Sequence, residues 1–386
     1  MHVVATAADL REVLRMAGSA SRVAVDLEAS GMFAYRAGIC TLQLAWDGGH
    51  LAVVDTLAVP ARELSALLSA TGPLKIVHDV SFDARLLAEV TIELGNVHDT
   101  ALAARMLGRA ATGLASLLES ELGVHIGKEM QKHDWRERPL DHAMLSYLTQ
   151  DVTYLAALDD KLWGEVMLKG VADEVLEETR YRLASAVEAI RNPDVSPPYT
   201  RVKGVERLSE RELAVLWVVA ALREGEASRR DVPPHRVASA DALLAIARDR
   251  PRTRAQMARI RGLPHEHPDN ASFAEAVLQA VAAAGDTLPP AELARFDRPR
   301  LPAELTRARR ERETRLLAWR RQEATRRGVD EQVILPGHCV KDAVLVELQA
   351  VDDLRAIPGI GGFRVERDGA AIGRALRGEG PKGAAT

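Results

Sequence analysis

Strand-like sequence occurs only within the first 80 residues of this 386-residue chain, and that confinement limits the folds open to it. The runs "RVAVDLEA" (22–29), "CTLQLAW" (40–46), "HLAVVDT" (50–56) and "LKIVHD" (74–79) are short and rich in Val, Ile and Leu. The first three follow at hairpin-like spacing, which predicts antiparallel meander strands. The fourth comes after a helix-like stretch, "ARELSALLSATG" (61–72). From residue 80 onward the periodicity is helical, through "SFDARLLAEV", "TALAARMLG", "GLASLLESELG" and "LDHAMLSYLTQDVTYLAALDDKLWGEVM". The pattern predicts an α/β domain, a mixed sheet flanked by helices, over residues 1–192.

The prolines of "RNPDVSPPYTRVKG" (191–204) mark a linker over 193–204. Two helical units of similar plan follow, over 205–285 and 303–380, with a second linker at 286–302. Each sets a Trp-bearing helix (Trp217, Trp319) before an Arg-rich turn. Each ends on a Gly-containing turn, "ARIRGLP" (258–264) or "LRAIPGIGG" (354–362). This is a degenerate internal repeat, two copies of one small all-α module.

The net charge of −4 is unevenly spread. Residues 298–327 carry a net +7 and residues 247–261 a net +5, leaving the remainder strongly acidic. A basic C-terminal half beside an acidic N-terminal half fits a chain that holds phosphates in one part and cations in another; solvated Arg-rich helix faces are the alternative. No apolar run approaches the roughly 18 to 20 residues of a membrane span. The N-terminus, with Asp9 and Glu12, lacks a signal-peptide pattern. Cys40 and Cys339 are too few and too far apart for a disulfide framework or thiolate metal site, so a cytoplasmic location is expected.

The acids carry the chemistry. In "VAVDLEAS", Asp26 and Glu28 are two residues apart on a strand and leave the same face. Two adjacent carboxylates are costly to bury unless a cation compensates for them. Asp83 opens a helix just after the fourth strand, where the helix dipole alone could also favour it. Asp99 reads as an N-cap. In "SYLTQDVTYL", Tyr147 and Asp151 are four residues apart and share a helical face. Asp, Glu, Asp and Asp are hard oxygen ligands suited to Mg²⁺ or Mn²⁺, not zinc. Four acids around two divalent ions ~3.5–4 Å apart can run in-line attack on a phosphodiester. Tyr147 is then placed to aim the attacking water.

"DLE", "HDVSFD" and "YLTQD" resemble, in order, the three motifs of the DEDDy 3′→5′ exonucleases. "CTLQLA", "VHDTALAARMLG", "GLASLLESELGV" and "KEMQKHDWRERPL" are similar to the ribonuclease D family and its exosome-associated relative. The helical units resemble the HRDC nucleic-acid-binding fold. The resemblance implies a ribonuclease-H-like exonuclease domain followed by two HRDC-type domains. It implies Asp26 bridging two divalent metal ions, Glu28 and Asp151 on the nucleophile side, Asp83 on the other ion, and Tyr147 orienting water. This chain departs from the pattern at Leu27 and at Asp79, where relatives usually carry small residues.

Around the cleft, Lys128, Gln131, Arg136 and Arg138 are candidate phosphate contacts. His78 reads as a structural histidine, Gln43 as a buried amide satisfied by backbone, and Trp135 as core. The "PGIGG" turn is a helix cap or a phosphate-approaching loop, and the Arg-rich 298–327 stretch could track an RNA backbone. The expected function is a two-metal exoribonuclease that releases 5′-mononucleotides from RNA 3′ ends, with transfer-RNA precursors as the substrate the family implies. A DNA 3′→5′ exonuclease and a catalytically inert RNA-binding scaffold are the alternatives.

Overall fold

The computed structural model describes residues 1–263, 269–292 and 302–379. The chain forms two compact units: residues 1–28, 39–192 and 301–386, and residues 29–38 with 193–300.

The first unit is built on a six-stranded sheet. Its strands are β1 (His2–Val4), β2 (Arg22–Ala29), β3 (Ile39–Trp46), β4 (His50–Asp55), β5 (Leu74–Val77) and β6 (Val97–Asp99), in the order β1-β4-β3-β2-β5-β6. The expected hairpin is present: β3 and β4 pair antiparallel from Thr41↔Asp55 to Trp46↔His50. β1 runs parallel to β4, and β5 runs parallel to both β2 and β6, so the sheet is mixed. Central β2 is apolar on both faces, with Val23, Ala24, Val25 and Leu27 all buried, as a strand covered on both sides must be.

The longer helices are α1 (Ala7–Gly18), α2 (Val80–Glu89), α3 (Thr100–Met106), α4 (His142–Thr153), α5 (Leu155–Lys169) and α6 (Ala172–Arg191). Ala24 of β2 shares a buried cluster with Val152 of α4 and with Leu155, Leu158 and Leu162 of α5. That packing lays α4 and α5 over the β2 face from which Asp26 and Glu28 also project.

The second unit has α7 (Glu210–Arg230), α8 (Ala240–Asp249) and α9 (Asp269–Ala283) around a core containing Leu216, Val219, Leu243, Ile246 and Val277. A capping box at Ser209 and Glu212 starts α7. Residues 29–38 belong to this unit: the Tyr35 hydroxyl bonds Glu224 (3.2 Å) and its backbone N–H donates to Asp231 (3.2 Å).

The C-terminal module, α10 (Ala303–Arg327), α11 (Gly337–Ala343) and α12 (Gly362–Arg377), is part of the first unit. It has its own core of Leu316, Leu335, Val340, Leu354 and Ile372, yet its Val333 lies in the buried cluster of the sheet domain. The stretch between the two modules at 293–301 lies outside the described residues. Among the described residues no helix is long and apolar enough to cross a membrane.

The repeat is therefore structurally unequal, and "PGIGG" explains part of the difference. Gly359 and Gly361 sit at φ 79° and 75°. A Cβ on Gly359 would meet the rings of His338 (2.5 Å) and Tyr181 (3.0 Å), and one on Gly361 would meet Glu177 (3.0 Å). The glycines let this turn approach α6 closely and then start α12.

Many arginines of α10 are spent internally. Arg315 donates to the carbonyls of Ala375 and Leu376, and Arg320 to that of Glu331. Arg327 pairs with Glu323 and Asp368. Arg307, Arg310 and Arg315 line an open cleft of about 680 Å³.

Candidate active site

β2 delivers Asp26 and Glu28 two residues apart, and α4 delivers Asp151 from above. One carboxylate oxygen from each of these three lies within 4.8 Å of the others. Asp141 caps α4, accepting from the Met144 N–H at 2.8 Å, and so fixes the turn from which Tyr147 and Asp151 project. Tyr147, 7% exposed, stacks on Trp135 with centroids 5.7 Å apart at 28°. Tyr147 and Asp151 line a cleft of about 170 Å³ together with Gly113, Ser116, Lys128 and Gln131.

Asp83, 8% exposed, stands outside the three-acid set on the first turn of α2. The head of α2 is fixed by Asp99, whose buried carboxylate serves two helices. It accepts from the N–H groups of Asp79 (3.1 Å) and Val80 (3.0 Å) at the start of α2. It also accepts from those of Ala101 (2.9 Å) and Leu102 (3.1 Å) at the start of α3. The cap expected at Asp99 is present, and its second half had no sequence signal, because it depends on β5 and β6 lying side by side.

Burial raises every one of these acids, and neighbouring carboxylates add to it at Asp26, Glu28 and Asp83. Burial, then the Asp151 charge, pushes Asp26 up to about 7. Burial, then Asp26 and Asp151, pushes Glu28 up to about 8, against a weak opposing pull from the Trp135 indole N–H. That N–H is buried and has no hydrogen-bond partner of ordinary geometry among the described residues. Burial takes Asp151 to about 6 and, with the charges of Asp26 and its neighbours, takes Asp83 well above the carboxylate range. The Tyr147 phenol is raised by burial and then by Asp151. A cluster that resists ionisation on its own is one that a hard cation would relieve, and the donor set is all oxygen. The residues fit a divalent metal.

The flanking residues divide. Lys128 and Gln131 reach the cleft. Arg136 is engaged by Asp134 through its Nε (2.9 Å) and Nη2 (2.7 Å). Arg138 corrects the expectation of a phosphate contact. It forks onto Asp55 (2.7 and 2.8 Å) and donates to the carbonyls of Cys40, Trp135 and Glu137, which uses all five of its N–H groups. It pins the loop before α4 to the sheet.

Gln43 also differs from expectation. Its Nε2 donates to the Thr41 hydroxyl (2.7 Å) and its Oε1 has no partner among the described residues. Strand backbone groups are consumed by the ladder, so the amide finds a side chain two residues back on its own face. His78 bonds Thr100 Oγ1 at 2.9 Å. That hydroxyl gives its one proton to the Val77 carbonyl, so His78 Nδ1 is the donor, a structural role. Trp135 is core at 1% exposure.

A mixed sheet carrying acids from β2, α2 and α4, with a tyrosine one turn before the last, defines a 3′→5′ exonuclease domain joined to helical modules. The comparisons agree. The 3′-5′ exonuclease family profile matches residues 1–167, and the HRDC domain profile matches 212–283 and 309–376. The chain is 31% identical to ribonuclease D of Gluconacetobacter diazotrophicus over 290 residues, 73% of this chain and 71% of that one. It is 32% identical to ribonuclease D of a Shewanella species over 231 residues, spanning 58% of this chain and 57% of the relative. The fold matches Escherichia coli RNase D, "an exoribonuclease involved in structured RNA processing", at TM-score 0.68 and 23% identity over 98% of each chain. It matches a Bifidobacterium adolescentis protein at TM-score 0.76 and 20% identity, over 98% of this chain and 97% of that one. The chain belongs to the ribonuclease D family of 3′→5′ exoribonucleases.

Proposed function

We propose that this protein is a two-metal exoribonuclease that removes nucleotides one at a time from RNA 3′ ends as 5′-monophosphates, trimming structured RNA such as transfer-RNA precursors. The observation that carries the reading is the three-carboxylate set within 4.8 Å, with Asp151 and Tyr147 sharing one cleft. Asp26 would bridge two ions, Mg²⁺ or Mn²⁺; Glu28 and Asp151 would hold the nucleophile-side ion and Asp83 the other. Bound ions supply the Lewis acidity that ionises water and stabilises the departing 3′ oxygen.

The chain's own groups supply the rest. Burial and the neighbouring carboxylates hold the Tyr147 phenol above its ordinary value, which favours a protonated hydroxyl that orients water. Trp135 holds the phenol ring from behind. Lys128 and Gln131 are the phosphate-side groups of the cleft. The helical modules hold RNA upstream through phosphates and shape. The buried free thiols of Cys40 and Cys339 fit a reducing cytoplasm.

The test is a 3′-tailed RNA and its DNA counterpart, each with Mg²⁺ or Mn²⁺, comparing wild type with Asp26→Asn. Stepwise shortening of the RNA by wild type alone is expected. Intact RNA, equal trimming by the variant, or preference for DNA would overturn the reading.

A further inference from the structure

Asp79 adds a carboxylate four residues before Asp83, in left-handed backbone (φ 60°, ψ 75°) that a non-glycine residue adopts only under restraint. Its backbone is held by Asp99. Its side chain accepts from Arg182 Nη1 at 3.2 Å and from Ser81 Oγ at 3.1 Å, and Arg182 Nη1 also meets Ser81 Oγ at 3.2 Å.

Arg182 comes from α6, which packs along α2, and its side chain is 17% exposed. Its Nε donates to Glu178 Oε1 at 3.2 Å. The other oxygen of Glu178 meets His338 Nε2 at 3.0 Å, and the His338 ring lies flat on Tyr181, with centroids 3.6 Å apart at 2°. One turn earlier on α6, Glu174 takes Arg367 Nη1 at 2.7 Å. A continuous chain of polar contacts thus runs from α11 of the C-terminal module, across α6, to the turn that launches the helix bearing Asp83.

We propose that Arg182 is a positioning residue for Asp83. It fixes the side chain of the strained Asp79 turn, and it is itself fixed by Glu178 and the His338 contact. In this arrangement the C-terminal module supports the metal site from inside the fold, a role separate from holding RNA. The inference rests on the two-metal reading for what Asp83 does.

The sign of the metal effect separates position from charge. Removing a cation near four acids would, by charge alone, tighten the binding of a divalent ion. Loss of affinity on removing Arg182 therefore reports misplacement of Asp83.

The experiment uses the full chain with Arg182→Gln, Arg182→Lys and His338→Ala. Mn²⁺ binding is followed by electron paramagnetic resonance, and turnover on a 3′-tailed RNA is followed separately. Arg182→Gln is expected to weaken the looser Mn²⁺ site and lower kcat, each roughly tenfold, with KM for RNA changed less than about twofold; this is the low end of the range for residues supporting metal ligands. Arg182→Lys is expected within about threefold of wild type, and His338→Ala to fall about two- to threefold, in the same direction. Equal or tighter Mn²⁺ binding in Arg182→Gln, or a raised KM at unchanged kcat, would overturn the proposal. If Arg182→Gln does not fold, His338→Ala carries the test, because it loosens the hold on Arg182 without removing an anion from the site. If wild type leaves RNA intact while the Mn²⁺ effect is present, the exoribonuclease reading fails and the positioning role stands.

Discussion

Replacing Asp26 with Asn should stabilise the protein when no metal is bound and destabilise it, relative to wild type, when metal is abundant. In the fold the Asp26 carboxyl is held at about 7, against 3.8 in an unfolded chain. Between those values the native state carries a proton that the unfolded state has lost, so unfolding becomes easier as pH rises through the window. At about 1.4 kcal/mol per pH unit, holding Asp26 ionised costs the fold about 4 kcal/mol as an upper bound. Glu28 and Asp151 meet the same shortage of cations and share the proton, which halves the expected relief to about 2 kcal/mol. In a domain of this size that corresponds to a Tm gain of about 4–8 °C. Thermal unfolding by circular dichroism in chelator is the assay, at about pH 4 and about pH 8, repeated in excess Mg²⁺. The gain should nearly vanish at about pH 4, where the clustered acids are protonated in the fold, and approach its full size at about pH 8. Excess Mg²⁺ should raise wild type above the variant, because only wild type retains the complete ligand set. A variant less stable than wild type in chelator at about pH 8, or equal Mg²⁺ gains in both, would refute the cation-deficit account of this cluster.

Tyr147→Phe removes one oxygen from a ring already packed on Trp135, so Tm and Mn²⁺ binding should hold while single-turnover cleavage falls on the order of 100-fold. Metal binding must displace protons from Asp151, Asp26 and Glu28, raised to about 6, 7 and 8. Apparent Mg²⁺ affinity should therefore rise with pH across that interval, with proton release visible by calorimetry in buffers of different ionisation enthalpy. Arg138→Ala strips a partly buried Asp55 of its fork and should cost about 2–4 kcal/mol by urea unfolding. Lys128→Ala should leave stability within about 0.5 kcal/mol and raise KM for RNA instead.

The sequence showed the acids because their spacing is local. Asp26 and Glu28 follow the two-residue period of a strand, and Tyr147 and Asp151 the four-residue step of a helix. What it concealed was set by partners distant in the chain. β1 and β6 have three residues each and exist only because β4 and β5 offer them ladders, so neither run carries a strand signature. Arg138 in a basic loop looks like a phosphate ligand until Asp55, 83 residues away, is found against it. The two helical modules look equivalent by pattern, yet Tyr181, Glu178 and the close-fitting glycines of 358–362 commit one of them to the sheet domain.

The double cap at Asp99 has a consequence for how the site opens. Four amides, of Asp79, Val80, Ala101 and Leu102, converge on one carboxylate although the two pairs lie some twenty residues apart. Neither helix head can fray while keeping its own bonds, because a shift of the carboxylate toward one withdraws it from the other. These four amides should therefore exchange with solvent deuterium in a single event, at one common opening free energy. The turn ahead of Asp83 then becomes exposed only when the pairing of β5 with β6 also lets go.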